Sequence, residues 1–298
     1  MNCTRTTARL AKTLAPPSAT VGRGRRGARV PANRPWLRPA LTLAAVAMLA
    51  STPAAAAPTA GAVIRVATRE NVSLPIYAAW RPDAVATVVL FSGGAGGYGK
   101  IDDEGWPAGG NFLIRTGRRW FSHPLNVVMV GRPSDGIDLA LGSVRTGEHH
   151  AADNVAVFKA IKARSPLPLW LVGTSMGTIS AAAATIGDTE GLVAGLVLTS
   201  SIVGYKVPGS LPRQQLDRIR VPTLVVHHER DGCWACKPHE VGNLVNSLSA
   251  APVRKAVFVS GGEGASGNPC EPEHFHGFIG MRDEVVDLIA GWIQAPKP

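Results

Sequence analysis

The sequence predicts an α/β fold built on a mostly parallel β-sheet. Beyond residue 60, apolar runs of strand length alternate with helix-compatible stretches, and this alternation is typical of α/β proteins. The later apolar runs are continuous in Val and Leu, as expected for strands that are buried on both faces of a sheet. No repeat, linker or long charge block divides residues 57–298, so we predict one domain there.

Each strand is predicted from a short run rich in β-branched residues, and each helix from a longer stretch between such runs. The first two strands have more mixed composition than the rest, whereas the later ones are almost purely apolar. The eight predicted strands cover residues 62–68, 72–80, 84–91, 126–131, 167–173, 193–200, 221–228 and 254–260. The four predicted helices cover residues 150–164, 176–187, 239–250 and 283–294.

The N-terminal segment has the features of a secretory signal. Residues 1–56 contain nine basic and no acidic residues, and residues 40–50 form a short apolar run. Small residues suited to signal peptidase follow in "STPAAAAPTA". Because the apolar run is short for a bilayer span, a retained membrane anchor is the weaker interpretation. We therefore expect residues 1–56 to be a cleaved signal peptide and the protein to be exported, to the periplasm or the extracellular medium.

The high net charge belongs to that N-terminal segment. The whole chain has a formal net charge of +10. When the nine basic residues of the leader are left out, 22 basic and 21 acidic side chains remain. The folded part would thus be almost neutral. Nucleic-acid binding requires basic charge clustered on the folded domain, so we expect no nucleic acid as a partner, and no stable membrane span after signal cleavage.

The clearest catalytic motif is Gly-Thr-Ser-Met-Gly at residues 173–177, which matches G-x-S-x-G. It lies between a predicted strand and a predicted helix, where a sharp turn would expose the serine and where glycines avoid collisions with nearby backbone. A chance match in a Gly-rich chain is the alternative, but the strand and helix on either side favour a nucleophile. Ser175 is therefore the candidate nucleophile.

A nucleophilic serine needs a base and an acid that orients the base. Asp231 follows the predicted strand 221–228, and His276 precedes the last predicted helix. The alternatives are Glu229 for the acid and His274 for the base. Asp231 and His276 are favoured by their distance past the strand end and by the His-Gly-Phe sequence before the helix.

With these residues, the chain resembles a secreted α/β hydrolase over nearly all of residues 62–295. The resemblance implies an eight-stranded, mostly parallel sheet flanked by helices. It also implies that Ser175 is the nucleophile, His276 the general base and acid, and Asp231 the orienting carboxylate. Related folds insert a cap domain in the connection that here spans only residues 200–220, so we expect no large cap.

The resemblance also gives a role to the Gly-rich stretch "FSGGAGGYGK" at residues 91–100. A phosphate loop of the G-x-x-x-x-G-K type would need Ser or Thr after Lys100, but Ile101 and three acidic residues follow. A dinucleotide loop is disfavoured because no amphipathic helix begins there. The position after a strand implies an oxyanion loop instead, in which the N–H of Gly94, or second that of Ala95, acts with the N–H of Met176.

The reaction expected from these parts is hydrolysis of a small-molecule ester through an acyl-enzyme. Acyl transfer and peptide hydrolysis use the same triad and stay open, because a fold does not choose between them. Neither a cofactor nor a metal is required for this chemistry. The substrate and the oligomeric state are not encoded in any motif of the sequence.

Three cysteines follow the predicted leader, and an oxidising compartment favours one disulfide among them. A bridge from Cys233 to Cys270 would join the loops of the predicted acid and base, and Cys236 to Cys270 is the second choice. The competing hypothesis is a metal-binding or redox protein that uses Cys233, Cys236 and Cys270. It is weaker because structural zinc sites usually have a second paired cluster.

Overall fold

The computed structural model describes residues 61–298. The predicted signal peptide, residues 1–56, lies outside the described residues and stays a prediction. Within the described part, one eight-stranded sheet is flanked by helices on both faces. The predicted fold class is therefore confirmed.

All eight predicted strands are present. The sheet has the order β1-β2-β4-β3-β5-β6-β7-β8, with β1 and β2 antiparallel to each other and β2 antiparallel to β4. The remaining neighbours are parallel. The strands are β1 (Ala62–Arg69), β2 (Val72–Ala79), β3 (Ala86–Phe91), β4 (Leu125–Val130), β5 (Leu169–Thr174), β6 (Val193–Thr199), β7 (Thr223–His228) and β8 (Arg254–Val259).

Burial along the sheet follows the composition of the strands. Every residue of β3, β4, β5 and β7 is buried, as the continuous apolar runs predict. β1 lies at one edge, is largely exposed, and has the mixed composition of a strand that contacts solvent. Strands β3, β4, β5 and β7 are therefore enclosed on both faces, and because they run parallel their carboxyl ends lie at one edge of the sheet.

Seven helices cover the sheet within residues 61–298. They are α1 (Phe112–Arg115), α2 (Gly117–Ser122), α3 (Gly142–Arg145), α4 (Glu148–Arg164), α5 (Met176–Ile186), α6 (Val241–Ser247) and α7 (Arg282–Gln294). Buried side chains of α4, α5 and α6 pack in one apolar layer, and those of α1, α2 and α7 pack in the other. The core is thus two apolar layers, one on each face of the sheet.

The helix predictions were right for the long helices and missed the short ones. α4, α5 and α7 agree with the predicted ranges to within two residues at each end. The predicted helix 239–250 is shorter, since a 3₁₀ turn Pro238–Glu240 precedes α6 and α6 ends at Ser247. α1, α2 and α3 have only four to six residues, too few for a helical period to show in the sequence.

The connection between β6 and β7 contains no cap domain. It has two single 3₁₀ turns, Leu211–Arg213 and Leu216–Arg218, whose leucines are buried against the domain. The expectation of a capless fold is therefore confirmed. Within residues 61–298, no helix is both long enough and apolar enough to cross a membrane.

Candidate active site

Ser175 lies in the sharp turn between β5 and α5. Its backbone has φ 52° and ψ −127°, a conformation that non-glycine residues seldom adopt. A Cβ at Gly173 would meet the backbone of Gly177, and one at Gly177 would collide with the carbonyl oxygen of Phe91. Both glycines are therefore needed for α5 to approach the sheet, and the turn leaves the serine half-buried at the wall of a cavity.

The predicted acid and base form a buried pair beside the same cavity. Asp231 follows β7, and His276 lies in a 3₁₀ turn, Phe275–Gly277, before α7. His276 Nδ1 is 2.9 Å from Asp231 Oδ2, and both side chains are almost fully buried. Ser200 Oγ donates to the carbonyl oxygen of His276 at 2.7 Å, which anchors the turn to the end of β6.

The other ring nitrogen of His276 has no protein partner. His276 Nε2 is buried and has no hydrogen bond to any of the described residues. His276 and Ser175 both line the cavity. The competing candidates are not in this arrangement, because Glu229 is exposed and the histidine that contacts Asp231 from the last loop is His276 and not His274.

Asp231 is held as a carboxylate. Burial by itself raises its pKa, but hydrogen bonds from His227 and His276 outweigh that effect and lower the pKa to about 2. The N–H of Cys233 also donates to Asp231 Oδ1 at 2.9 Å. Both carboxylate oxygens are thus occupied, which fixes the orientation of the group that holds His276.

His227 is part of this arrangement, although no sequence motif predicts a functional role for it. Its Nε2 lies 2.7 Å from the carbonyl oxygen of Cys236 and 3.3 Å from Asp231 Oδ2. A carbonyl oxygen only accepts, so Nε2 carries a proton that it shares between the two oxygens. The sequence signal that could have found it is its position, four residues before the predicted acid at the end of a buried strand.

The predicted disulfide joins the loops of the acid and the base. Cys233 and Cys270 are bonded, and 37 positions of sequence separate them. Cys236 is a free, fully buried thiol, so the alternative pairing of Cys236 with Cys270 was wrong. The bridge starts two residues after Asp231 and ends six residues before His276.

The Gly-rich stretch forms a loop against the nucleophile turn. A Cβ at Gly93 would lie 2.9 Å from Ser175 Cβ, so the loop and Ser175 are in close contact. Gly94 has φ 55°. Both Gly94 and Met176, at the start of α5, line the cavity. Ala95 is exposed and is not among the residues that line the cavity.

Comparison with solved structures identifies this architecture. An α/β serine hydrolase without lid from Xanthomonas campestris superimposes with a TM-score of 0.52 and 18% identity, covering 80% of this chain and 93% of that one. A dienelactone hydrolase from Anabaena variabilis gives a TM-score of 0.56 and 12% identity, covering 80% and 98%. The chain has the α/β-hydrolase fold.

A third solved structure of the α/β-hydrolase fold is a cold-adapted esterase from an Arctic intertidal metagenomic library. Its TM-score is 0.51 at 16% identity, and the match covers 78% of this chain and 92% of that one. No protein-family model matches the sequence, and a search of curated proteins finds no relative. At these identities the similarity shows the fold alone.

The cavity at the carboxyl edge of this α/β-hydrolase sheet has a volume of about 700 Å³. Its wall is mainly apolar around the serine, and two of its apolar side chains, Leu141 and Trp234, are 54% and 65% exposed at the rim. Lys206 and Glu271 are the charged residues of the lining, and His276 also lines the cavity. Other apolar lining residues are Phe112, Met176, Ile202, Val207 and Pro272.

The cysteines of the competing metal hypothesis also lie at this site. Ligand atoms of Cys233, Cys236 and His276 are within 4.8 Å of one another. The Cys233 sulfur is bonded to Cys270, however, and a disulfide sulfur lacks the thiolate charge that binds zinc. Burial raises the pKa of the Cys236 thiol well above its usual range, so this sulfur is also uncharged at neutral pH.

Proposed function

We propose that this protein is a serine hydrolase that cleaves carboxylic esters through an acyl-enzyme on Ser175. The observation that carries the proposal is the His276 ring. Its Nδ1 is held by Asp231 at 2.9 Å, while its buried Nε2 has no hydrogen-bond partner among residues 61–298 and its side chain lines the same cavity as Ser175. A histidine with one nitrogen anchored and the other free is ready to exchange a proton with a nucleophile.

In the acylation step, the Ser175 hydroxyl transfers its proton to His276 Nε2 as Oγ bonds to the ester carbonyl carbon. The carbonyl π-electrons move to oxygen and form a tetrahedral oxyanion. When that oxyanion collapses, the bond to the alcohol oxygen breaks, and His276 returns the proton to the leaving group. The Asp231 carboxylate stabilises the positive imidazolium between the two transfers.

The oxyanion needs donors that are already oriented. The N–H of Met176, at the start of α5, and the N–H of Gly94 both belong to residues that line the cavity beside Ser175. Such donors lower the barrier because charge develops in a water-poor site, and the loss of one costs on the order of 3 kcal/mol. Ala95 is the second choice for the loop donor.

In deacylation, water takes the place of the alcohol. His276 removes a proton from that water as the water oxygen bonds to the acyl carbon and forms a second tetrahedral oxyanion. When this oxyanion collapses, the bond from the acyl carbon to Oγ breaks, His276 returns the proton to Ser175 Oγ, and the carboxylic acid is released. An ester is the preferred substrate because an alkoxide leaves more easily than an amide nitrogen. The mainly apolar wall of the cavity suits an uncharged, apolar acyl or alcohol group, and the structural similarity to an esterase supports the same choice.

A labelling experiment tests this proposal directly. The purified, disulfide-intact protein is treated with a fluorophosphonate, and mass spectrometry locates the adduct. We expect stoichiometric labelling at Ser175 that is lost in Ser175→Ala and greatly slowed in His276→Ala, and hydrolysis of p-nitrophenyl esters with the same pattern. A folded wild-type protein that neither reacts nor hydrolyses any ester of an acyl-length series would overturn the proposal.

We also propose that the protein is exported with its leader removed. The Cys233–Cys270 disulfide supports this, since such bonds persist in oxidising compartments. Expression of the full chain in a bacterial host, followed by N-terminal sequencing of the secreted or periplasmic protein, tests it. The expected N-terminus lies near residue 57, and an intact cytoplasmic chain with Met1 would contradict export.

A further inference from the structure

The loop predicted to supply an oxyanion donor has very few side chains of its own to hold it in place. Between residues 93 and 97 the only Cβ belongs to Ala95, which is exposed. Gly94, Gly96 and Gly97 all have positive φ values, between 55° and 84°. Glycines have the largest choice of backbone conformations, so the shape of this loop depends on the hydrogen bonds that its backbone makes.

Three hydrogen bonds hold the loop in the described part of the chain. The N–H of Gly96 donates to the carbonyl oxygen of Gly93 at 3.0 Å, and Ser92 Oγ donates to the carbonyl oxygen of Gly97 at 2.6 Å. Both of these are local. The third comes from another element, because Arg145 Nη2 at the end of α3 donates to the carbonyl oxygen of Gly94 at 2.9 Å.

Arg145 is an unusual residue to find in this position. It is only 2% exposed, and all three of its hydrogen bonds go to uncharged oxygens. Besides Gly94, it donates from Nε to the carbonyl oxygen of Leu139 at 2.6 Å and from Nη1 to Ser180 Oγ at 2.9 Å. A buried guanidinium without a carboxylate partner is costly, so its presence calls for a role that an uncharged side chain could not fill.

We propose that Arg145 is a positioning residue that holds the oxyanion loop in its reactive shape and ties that loop to α5. The inference rests on the proposed function, because it concerns the donors of that same site. Arg145 has no hydrogen bond to Ser175 or His276, the proposed nucleophile and base, and no motif in the sequence identifies it.

The peptide geometry explains how Arg145 would act. In a trans peptide the carbonyl and the following N–H point in opposite directions, and the described chain has no cis peptide. A bond to the Gly94 carbonyl therefore fixes the N–H of Ala95, and the Gly96 bond to the Gly93 carbonyl fixes the N–H of Gly94. Both candidate loop donors are oriented by the oxygen on the opposite side of their own peptide.

A second hydrogen bond of the Arg145 guanidinium reaches α5, the helix that carries the other proposed oxyanion donor, Met176. Ser180 lies on α5, which begins with Met176, so one side chain bridges the two elements that supply the proposed oxyanion donors. The separation between two donors matters, because misplacement of a reacting group by about 1 Å can cost on the order of 100-fold in rate. Arg145 thus sets a distance that neither the loop nor the helix sets alone.

The test compares Arg145→Gln, Arg145→Lys and the wild type in ester hydrolysis. We expect kcat of Arg145→Gln to fall by on the order of 10-fold to 100-fold while KM changes little, because orientation of the donors matters most in the transition state. Arg145→Lys keeps one charged donor and should recover part of the loss. Inhibition by a trifluoromethyl ketone, which forms a tetrahedral adduct with the serine, should weaken in parallel with kcat.

Arg69→Gln is the control, since Arg69 is an arginine whose side chain is 15% exposed, but it pairs with Asp153 and Asp135, which do not line the cavity. It should lower stability without changing kcat. If wild-type protein is labelled at Ser175 but Arg145→Gln and Arg145→Lys are folded with kcat within about twofold of wild type, the inference is wrong and the hydrolase proposal stands. If the wild type itself is not labelled, the hydrolase proposal has failed instead. If Arg145→Gln does not fold, the comparison of Arg145→Lys with Arg69→Gln decides.

Discussion

At the scale of single residues, the candidate site depends on which oxygen of Asp231 accepts which proton. Oδ2 receives His276 Nδ1 at 2.9 Å and His227 Nε2 at 3.3 Å, while Oδ1 receives the N–H of Cys233. His227 is therefore a second histidine that stabilises the carboxylate. Its contribution differs from that of His276, because its ring is fully buried and also bonds to the Cys236 carbonyl.

This arrangement predicts that His227 positions the acid. His227→Phe removes one donor from Asp231, so the pKa of the carboxyl should rise and kcat/KM for ester hydrolysis should fall by about 10-fold. Asp231→Asn should cost far more, on the order of 10³-fold to 10⁴-fold. Steady-state kinetics over pH 4 to 8 measure both effects.

Two variants sharpen the interpretation of His227. His227→Gln keeps an N–H donor and should recover part of the activity lost in His227→Phe. His239→Gln is the matched control, since His239 is an exposed histidine outside the site. Equal activity of His227→Phe and wild type across the pH range would show that Asp231 is adequately held by the remaining donors.

At the scale of elements, the contact of α5 with β3 and β5 makes the nucleophile turn possible. Gly177 is the first residue inside α5 that faces the sheet, and the carbonyl oxygen of Phe91 occupies the place of its missing side chain. The turn at Ser175 thus depends on a close approach of two elements as much as on the motif itself.

Gly177→Ala should therefore be strongly destabilising. The added methyl group collides with the backbone of β3, so we expect a loss of about 3 kcal/mol or more in the free energy of unfolding, or insoluble protein. Gly242→Ala is the control, because Gly242 also lies in a helix, α6, and a Cβ there would contact nothing within 4 Å. That change should be neutral or stabilise by up to about 1 kcal/mol, as urea denaturation can measure.

The disulfide acts at the same scale, because it connects the loop after β7 to the loop before α7. Loop closure over a sequence separation of 37 corresponds to a stabilisation of about 4 kcal/mol in the chain-entropy description. We expect the double substitution Cys233→Ala, Cys270→Ala to lower the unfolding free energy by up to that amount. We also expect a lower kcat, because both loops carry proposed catalytic groups.

Cys236→Ala provides the comparison for the disulfide. It removes the free buried thiol and leaves the bridge intact, so a reducing agent should still inactivate this variant. Hydrolysis measured before and after treatment with a dithiol reports the result. An unchanged rate in the reduced protein would show that packing alone keeps Asp231 and His276 in register.

At the scale of the whole molecule, two buried titratable groups contribute strongly to the pH dependence of stability. Burial, with the nearby charge of Arg145 as a smaller cause, lowers the pKa of His150 to about 4, and Asp153 opposes this. Arg145 donates a hydrogen bond to Ser180 Oγ, so the Ser180 hydroxyl can donate its own proton to His150 Nε2, which lies 2.9 Å away. His150 Nε2 accepts this proton only when the imidazole ring is neutral. The pKa of Asp231, about 2, lies below its ordinary value.

Stability should therefore fall as pH falls, in two windows. Between pH 6.5 and about 4 the unfolded chain binds a proton at His150 that the folded chain does not, which costs about 3 kcal/mol over the window. Between pH 3.8 and about 2 the unfolded chain likewise protonates Asp231 first, which costs about 2 kcal/mol more. Above pH 6.5 neither group contributes a slope.

Urea denaturation at pH 7, 5.5 and 4 tests the upper window. The unfolding free energy of the wild type should decrease across these values, and His150→Gln should show a clearly smaller decrease. His239→Gln again serves as control, since an exposed histidine should leave the slope unchanged. A wild-type stability that is constant from pH 7 to 4 would contradict the buried, neutral state of His150.

Much of the fold followed from local patterns. The buried strands were predictable because continuous Val and Leu runs suit only a sheet covered on both faces, and the serine turn because its glycines and its strand and helix lie within a few residues. The short helices α1, α2 and α3 were missed because they are formed by packing, not by periodicity. The pairing of Cys233 with Cys270 was expected with one alternative left open, and the structure selected it.

The sequence by itself determined the α/β class and the eight strands, and it predicted candidates for nucleophile, acid and base, because these inferences depend on composition and on near neighbours along the chain. Only the tertiary structure revealed His227 at Asp231 and Arg145 at the Gly94 carbonyl. Arg145 and Gly94 lie 51 positions apart, and no local propensity encodes a contact across that distance. A buried donor finds its acceptor only after the sheet has brought distant loops to the same edge.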